Sequence, residues 1–144
     1  MIRPAVIEDI PKLLTWGRDF AEACKLPGGF DPASAETFFR HLITDPGGIL
    51  LVAPGGAIGG MGHPSPYNHA HLTGQELFWW VDPEHRGARV GISLLNALME
   101  AVEAFGAHSW TVSSVGLDGG SVGRILDRKG FVLTDRNYTK TLKG

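Results

Sequence analysis

The sequence predicts a mixed α/β fold of the α+β-like kind, with a central, mostly antiparallel twisted sheet flanked by helices. Three observations carry that expectation. Three segments repeat apolar residues at three- and four-residue steps, as amphipathic helices do, and a capping signal marks a fourth helix. Short apolar or β-branched runs between them close at Gly- and Pro-rich turns, as strands do. No internal repeat, low-complexity tract or linker divides residues 1–144, so one domain is expected across the chain.

Ile2 to Ala5 is the first candidate strand. Ile10, Leu13, Leu14, Phe20, Ala21 and Cys24 then line one face of a helix running roughly from Glu8 to Lys25, which Pro27-Gly28-Gly29 breaks. Asp31 offers a capping carboxylate and Pro32 a first-turn proline to a second helix over Pro32 to Thr44. After the turn Asp45-Pro46-Gly47-Gly48, Ile49 to Ala53 and Ala57 to His63 read as a hairpin joined through Pro54-Gly55-Gly56. Pro64 to Gly74 lacks periodicity and reads as an irregular, pocket-shaping loop. Glu76 to Val81, rich in aromatic and β-branched residues, reads as a central strand that stops at Asp82-Pro83.

A third helix carries the stripe Ile92, Leu95, Leu98, Met99, Val102 and Phe105, with Gly106 placed for a left-handed cap. His108 to Val115 is a further strand, Gly116 to Gly120 a flexible connection, and Ser121 to Lys129 a short helix. Phe131 to Leu133 and Tyr138 to Leu142 supply final strand material.

The bulk numbers narrow the function. With 43% hydrophobic and 19% charged residues the chain is ordinary globular material, and a net charge of −2 favours neither nucleic acid nor an anionic membrane surface as partner. Cys24 is the only cysteine, so no intrachain disulfide forms and a reducing compartment fits best. No apolar run approaches membrane-spanning length, and the start MIRPAVIEDI lacks the layout of a targeting segment. A cytoplasmic location is expected.

The segment VDPEHRGARVG, Val81 to Gly91, joins a strand directly to a helix, and helix N-termini bind anions. Main-chain N–H groups from Arg86 to Ile92 would point outward, Gly87 and Gly91 would admit a phosphate, and Arg86 and Arg89 add cationic donors. The plainer reading is a strand-to-helix turn with solvated arginines. The segment is not a P-loop, which ends in Gly-Lys-Ser/Thr, and no acidic residue sits where a dinucleotide fingerprint needs one.

On these residues the sequence resembles the GNAT superfamily of N-acetyltransferases. The family's cofactor motif follows the central strand as Val-x-Pro-x-x-Arg/Gln-x-x-Gly-x-Gly/Ala, and Val81, Pro83, Arg86 and Gly91 match it. IRPAVIEDI looks like the family's opening strand and helix, and RILDRKGFV, Arg124 to Val132, like its last helix and following strand. The glycine expected three residues after Arg86 is Arg89. Either the loop takes a different path there, or Arg89 reaches the phosphates as a charge-assisted donor.

The resemblance implies acetyl-CoA as co-substrate and direct transfer of acetyl to an amine of a small-molecule or peptide acceptor, the oxyanion steadied by main-chain N–H of the central strand. It implies a cofactor site of Trp79, Trp80, Val81, Arg86, Gly87, Ala88, Arg89, Val90, Gly91 and Ile92, the first three pairing with the pantetheine arm. Glu76, near where the family often keeps an acidic residue, would take the amine's proton; alternation would set it on one face with Phe78 and Trp80. Leu126 occupies the position of the family's usual acidic tyrosine, which leaves Tyr138, on the final strand, or water to protonate the thiolate.

Other features are set aside. His69-x-His71 lacks a third ligand at metal-binding spacing, so no metal is expected, and Cys24 on an apolar stripe reads as a packed thiol. Of Trp79 and Trp80, Trp80 is the better candidate to line a pocket. Acceptor choice is expected to rest on the Leu26 to Asp31 and His63 to Gly74 loops. Two competing readings are an acyl-CoA-binding module with little or no turnover, suggested by Arg89 and Leu126, and a nucleotide-binding regulatory domain. The final strands could pair across a two-fold axis, which makes a homodimer an open expectation.

Overall fold

Turn chemistry folds the middle of the chain into a meander. In the computed structural model, which describes residues 1–87, 89–114 and 121–143, strands β2 (Gly48–Ala53), β3 (Gly56–Ser65) and β4 (Asn68–Val81) run antiparallel, and β1 (Arg3–Pro4) adds to the β2 edge in the order β1-β2-β3-β4. The β2–β3 turn needs Gly55, whose φ of 88° a side chain would resist.

Helices α1 (Ile10–Cys24), α2 (Pro32–Thr44), α3 (Val90–Phe105) and α4 (Ser121–Arg128) complete the fold. A 3₁₀ turn, Ile7–Asp9, forms the start expected of the first helix. The second helix has the expected bounds because its cap is local: the Asp31 carboxylate accepts from Ser34 N at 2.9 Å, and Pro32 opens the helix. Gly106 closes α3 with a φ of 90°, as anticipated.

The sheet is covered on both faces. Leu13, Trp16, Phe39, Leu42, Phe78 and Trp80 form the layer under α1 and α2. Ile58, Leu94, Leu95, Leu98, Trp110 and Leu126 form the layer under α3 and α4. On β2, Leu50 and Val52 join the first layer and Leu51 the second, which is why that strand reads as an unbroken apolar run.

Three expectations are corrected. Pro64 to Gly74 is not an irregular loop: it carries the β3–β4 hairpin, with Pro64 opposite Leu72 and His63 opposite Thr73. The ribbon extends past the core with its residues largely exposed, so no hydrophobic period marks it, and Pro64 is accommodated beside a register shift. The strand expected over His108 to Val115 contracts to a parallel bridge between Thr111 and Gln75. Among the described residues, Phe131 to Leu133 and Tyr138 to Leu142 form no strand; Val132, Leu133, Tyr138 and Leu142 are exposed, because β-propensity without a partner edge does not make a ladder. Val115 and the connection Gly116 to Gly120 lie outside the described residues.

One carboxylate locks the end of β4 to α1. The Nε1 of Trp16 donates to Asp82 Oδ2 at 3.0 Å, and that of Trp80 donates to Asp82 Oδ1 at 3.1 Å, while Asp82 N–H donates to Gly55 O. Both indoles are buried, so removing their shared acceptor strands two donors. Asp82→Ala is expected to lower unfolding free energy by about 2–4 kcal/mol in urea denaturation, and Asp82→Asn, which keeps one acceptor oxygen, by less.

Candidate active site

The site is built where two chain segments part company. Thr111 N–H donates to Gly74 O at 3.0 Å and Glu76 N–H to Thr111 O at 2.8 Å, two rungs of a parallel ladder. The next rung would run from Ser113 N–H to the main-chain carbonyl of Glu76. Ser113 N–H donates instead to the side-chain Oε1 of Glu76 at 3.3 Å, and the segments diverge. Glycines permit the close approach that leads to this fork: a Cβ on Gly60 or Gly74 would collide with the Trp110 ring.

Just past the fork, β4 bulges. Gly59 pairs with Phe78 and Gly60 with Glu76, which leaves Leu77 as an extra residue. Across the bulge Glu76, Phe78 and Trp80 all stay buried while Gln75 and Leu77 are exposed, the alternation expected of this strand, and Phe78 and Trp80 join the α1/α2 layer. From Leu77 to Val81 no strand lies beyond β4 among the described residues, so the main chain there forms an open edge.

Glu76 is the buried charged side chain of the described core, 6% exposed. Burial pushes its carboxyl up from 4.5 to about 7, against the lowering effect of the Ser113 N–H. Cys24, at the end of α1, is held above its usual range by burial and by the Glu76 charge.

The turn after β4 has the backbone of an anion cradle. The first intrahelical bond of α3 runs from Ser93 N–H to Arg89 O, so the N–H groups of Val90, Gly91 and Ile92 precede the helical ladder. Gly87 has a φ of 88°, and Arg89 a φ of 66°. Arg89 therefore sits in a left-handed conformation that suits glycine, at the very position where the sequence motif departs from glycine. Gly91 is different, since a Cβ there would meet Val81 at an ordinary 3.5 Å. Ala88 lies outside the described residues.

Arg86 braces this turn. Its Nε donates to Val81 O at 2.9 Å, and its guanidinium carbon stands 4.8 Å from the centroid of the Trp80 ring. Trp80 is accordingly packing under this brace and lines neither cavity of the site, while Trp79 packs, half-buried, against the α3 layer. Asp82, Glu84 and His85 offer three ligand atoms within 4.8 Å of one another, but both Asp82 oxygens already accept indole N–H groups.

Two cavities flank the fork and the turn. One, of about 370 Å³, is lined by Arg89, Ile92, Ile125, Arg128 and Lys129. Arg128 and Lys129 escaped the sequence reading, although they stand inside the RILDRKGFV stretch; their basic charge was a signal, but only the fold sets α4 beside the start of α3. The other cavity, of about 330 Å³, is apolar and lies between α1, α2 and the β4 bulge. Leu26, Phe30 and Asp31 line it, as expected of that loop, whereas the His63 to Gly74 stretch does not.

The remaining candidates fall elsewhere. Tyr138 is 89% exposed in a segment without strand, and Leu126 is buried in the α3 layer. His71 Nε2 lies 2.8 Å from Ser109 Oγ and its ring stacks near His108, so it helps to fasten the Thr111 segment to β4.

Comparison with known proteins agrees with this architecture. No curated protein matches the sequence significantly. Among solved structures, an acetyltransferase from Clostridium acetobutylicum reported with acetyl-CoA superposes with a TM-score of 0.78 at 16% identity, over 99% of this chain and 96% of that one. A ribosomal-protein-alanine N-acetyltransferase from Brucella melitensis biovar Abortus 2308 gives 0.71 at 16% identity over 99% of each chain. A transcriptional regulator from Bacillus halodurans C-125 gives 0.80 at 17% identity over 99% of each. At such identities the likeness is one of fold. The family model for the acetyltransferase (GNAT) family, however, matches residues 13–118, well over half the chain and spanning the fork and the turn, and the protein therefore belongs to that family.

Proposed function

We propose that the chain is an acetyl-CoA-dependent N-acetyltransferase that passes acetyl directly to the amine of a small-molecule or peptide acceptor. The observation that carries this is Glu76: a buried carboxyl with a pKa of about 7, held by Ser113 N–H at the fork where the parallel pairing ends. Leu77 and Phe78, which line the apolar cavity, follow it directly in β4.

Acetyl-CoA fits the chemistry of the other cavity. Its phosphates would meet Arg89, Arg128 and Lys129 and the free N–H groups of Val90, Gly91 and Ile92, and its amide-bearing arm could pair with the open main-chain edge from Trp79 to Val81, where the Val81 carbonyl already accepts from Arg86. In the proposed reaction Glu76 takes a proton from the acceptor ammonium. The amine nitrogen attacks the thioester carbon to give a tetrahedral intermediate protonated on nitrogen; as it collapses and the C–S bond breaks, that second proton passes through water to the departing sulfur, leaving the neutral amide and the free thiol, and Glu76 then releases its proton to solvent. A thiol pKa near 8.5 makes that departure feasible without a dedicated acid. The exposure of Tyr138 supports water over tyrosine in this role.

Thiol release from acetyl-CoA in the presence of amines tests the proposal, and Glu76→Gln, which keeps the acceptor for Ser113 N–H, is expected to lower kcat by about 10²–10⁴-fold. In the parent protein kcat/KM should rise with pH through an inflection near 7, and the variant should lack it. Acetyl-CoA binding without amine-dependent thiol release across a broad range of amines would favour the non-catalytic binding reading.

Stability carries the same signature with a definite sign. A folded pKa of about 7 against 4.5 means that the folded chain holds the proton more tightly, so stability falls as pH rises from about 4.5 to 7 and levels off above. Glu76→Gln should remove that decline, which is on the order of 3 kcal/mol, as read by urea denaturation at pH 5 and pH 8.

Arg128→Ala with Lys129→Ala is expected to raise KM for acetyl-CoA about tenfold with kcat nearly unchanged, since both cations would contact a part of the donor that does not react. Arg89→Gly separates backbone from charge. It should relieve the left-handed strain and stabilise the fold by up to about 1 kcal/mol, while KM for acetyl-CoA rises if the guanidinium reaches a phosphate.

A further inference from the structure

The walls of the apolar cavity narrow the acceptor. Five phenylalanines, Phe20, Phe30, Phe38, Phe39 and Phe78, surround a space of about 330 Å³. Phe78 stands edge-on to both Phe20 and Phe39, each with ring centroids 5.2 Å apart, so the floor is a fixed cluster of rings. Leu26 and Leu77, 39% and 40% exposed, are apolar side chains left open to solvent where the cavity is otherwise walled by rings.

Polar groups in the lining are few, and the charged one, Asp31, stands at an exposed position. Asp31 is the sole charged lining residue, and its Oδ2 already accepts from Ser34 N at 2.9 Å and Ser34 Oγ at 2.7 Å. No cationic side chain lines the cavity. A carboxylate entering it would lack a counter-ion and meet the like charge of Asp31, a row of sugar hydroxyls would be stripped of water against phenyl rings with little in exchange, and a second ammonium would find a partner only in Asp31, at the exposed end. An aromatic or branched apolar group loses no such partners and gains edge-to-face contacts.

We propose that the acceptor is a small monoamine carrying an aromatic or branched apolar body, with the body seated among Phe20, Phe30, Phe39 and Phe78 and the amine directed to the β4 bulge beside Glu76. This deepens, and rests on, the acetyl-transfer reading of the same site. It sets amino acids and aminosugars outside the preferred class, because each brings a negative charge or a set of hydroxyls that the cavity does not satisfy, and it ranks polyamines below aromatic monoamines, because a polyamine makes no use of the ring cluster.

The test uses the full chain, first with acetyl-CoA alone in a thermal shift and then in thiol-release assays with 2-phenylethylamine, methylamine, spermidine and alanine. Acetyl-CoA should raise Tm, and kcat/KM for 2-phenylethylamine should exceed that for methylamine and spermidine by about 10–100-fold, the return for burying one phenyl group. Phe30→Asp, on a half-buried loop position, should cut the rate with 2-phenylethylamine about tenfold and narrow its lead over spermidine, leaving the acetyl-CoA shift unchanged; Phe30→Leu should retain most of the preference. Equal or faster turnover of spermidine or alanine, an unchanged preference in Phe30→Asp, or no turnover of 2-phenylethylamine despite a clear acetyl-CoA shift would each overturn the acceptor class while leaving cofactor binding intact. Absence of the acetyl-CoA shift would instead remove the acetyl-transfer reading and this inference with it.

Discussion

The hydrogen bond from Ser113 N–H to Glu76 Oε1 is the constraint on which the site depends. Up to Thr111 the chain follows β4 as a parallel neighbour; at Ser113 a side chain substitutes for the carbonyl that would have continued the ladder. That substitution ends the pairing and fixes the one buried carboxylate of the described core at the point of divergence. It also leaves the main chain from Leu77 onward without a parallel neighbour among the described residues, at the point where the bulge shifts the register with β3. An open strand edge is ordinarily a liability, and one maintained beside a buried acid calls for an occupant with amide groups of its own.

The far end of β4 is arranged by a second device with a different logic. Asp82 gathers the indoles of Trp16 and Trp80, and Arg86 lies back across Trp80 to reach Val81 O. The turn is thereby held from the sheet side, and the start of α3 is placed by contacts that use none of its N-terminal N–H groups. Arg89 completes the path in a conformation that a residue with a Cβ adopts at a cost on the order of 1 kcal/mol. Retaining arginine there makes physical sense if its cation, joined by Arg128 and Lys129 from α4, does more for an anion than the relaxed backbone of glycine would.

Local chemistry was legible in the sequence, and pairing was not. The Asp31-Pro32 cap, the Gly106 terminator and the stripe of α3 each depend on residues within one or two turns, so their patterns survive reading along the chain. The β3–β4 ribbon was hidden because its outer rungs are backbone bonds between exposed residues, which leave no apolar period. The reverse error at Phe131 to Leu133 and Tyr138 to Leu142 has the same root: strand-like composition says nothing about whether an edge is available. In the site, Glu76 and the turn could be singled out from spacing and family resemblance. The ring-lined cavity and the Arg128–Lys129 pair are products of tertiary placement, assembled from helices far apart in sequence.

The environment of Glu76 shows how a carboxylate can be both fixed and basic. A solvated glutamate near 4.5 is too weak a base to compete for an ammonium proton at neutral pH, and one ringed by donors would be weaker still, since each bond to the charged form lowers its pKa. A carboxylate with no bond at all would be buried without orientation. Among the described residues Glu76 accepts one N–H, at a long 3.3 Å, while burial raises its pKa to about 7. The ionised form is thus destabilising to the fold near neutrality, where a glutamine could accept the same bond without the charge. The acid at this fork has the one property that glutamine lacks, the capacity to take a proton near neutrality, and the proposed role of Glu76 as base rests on that property.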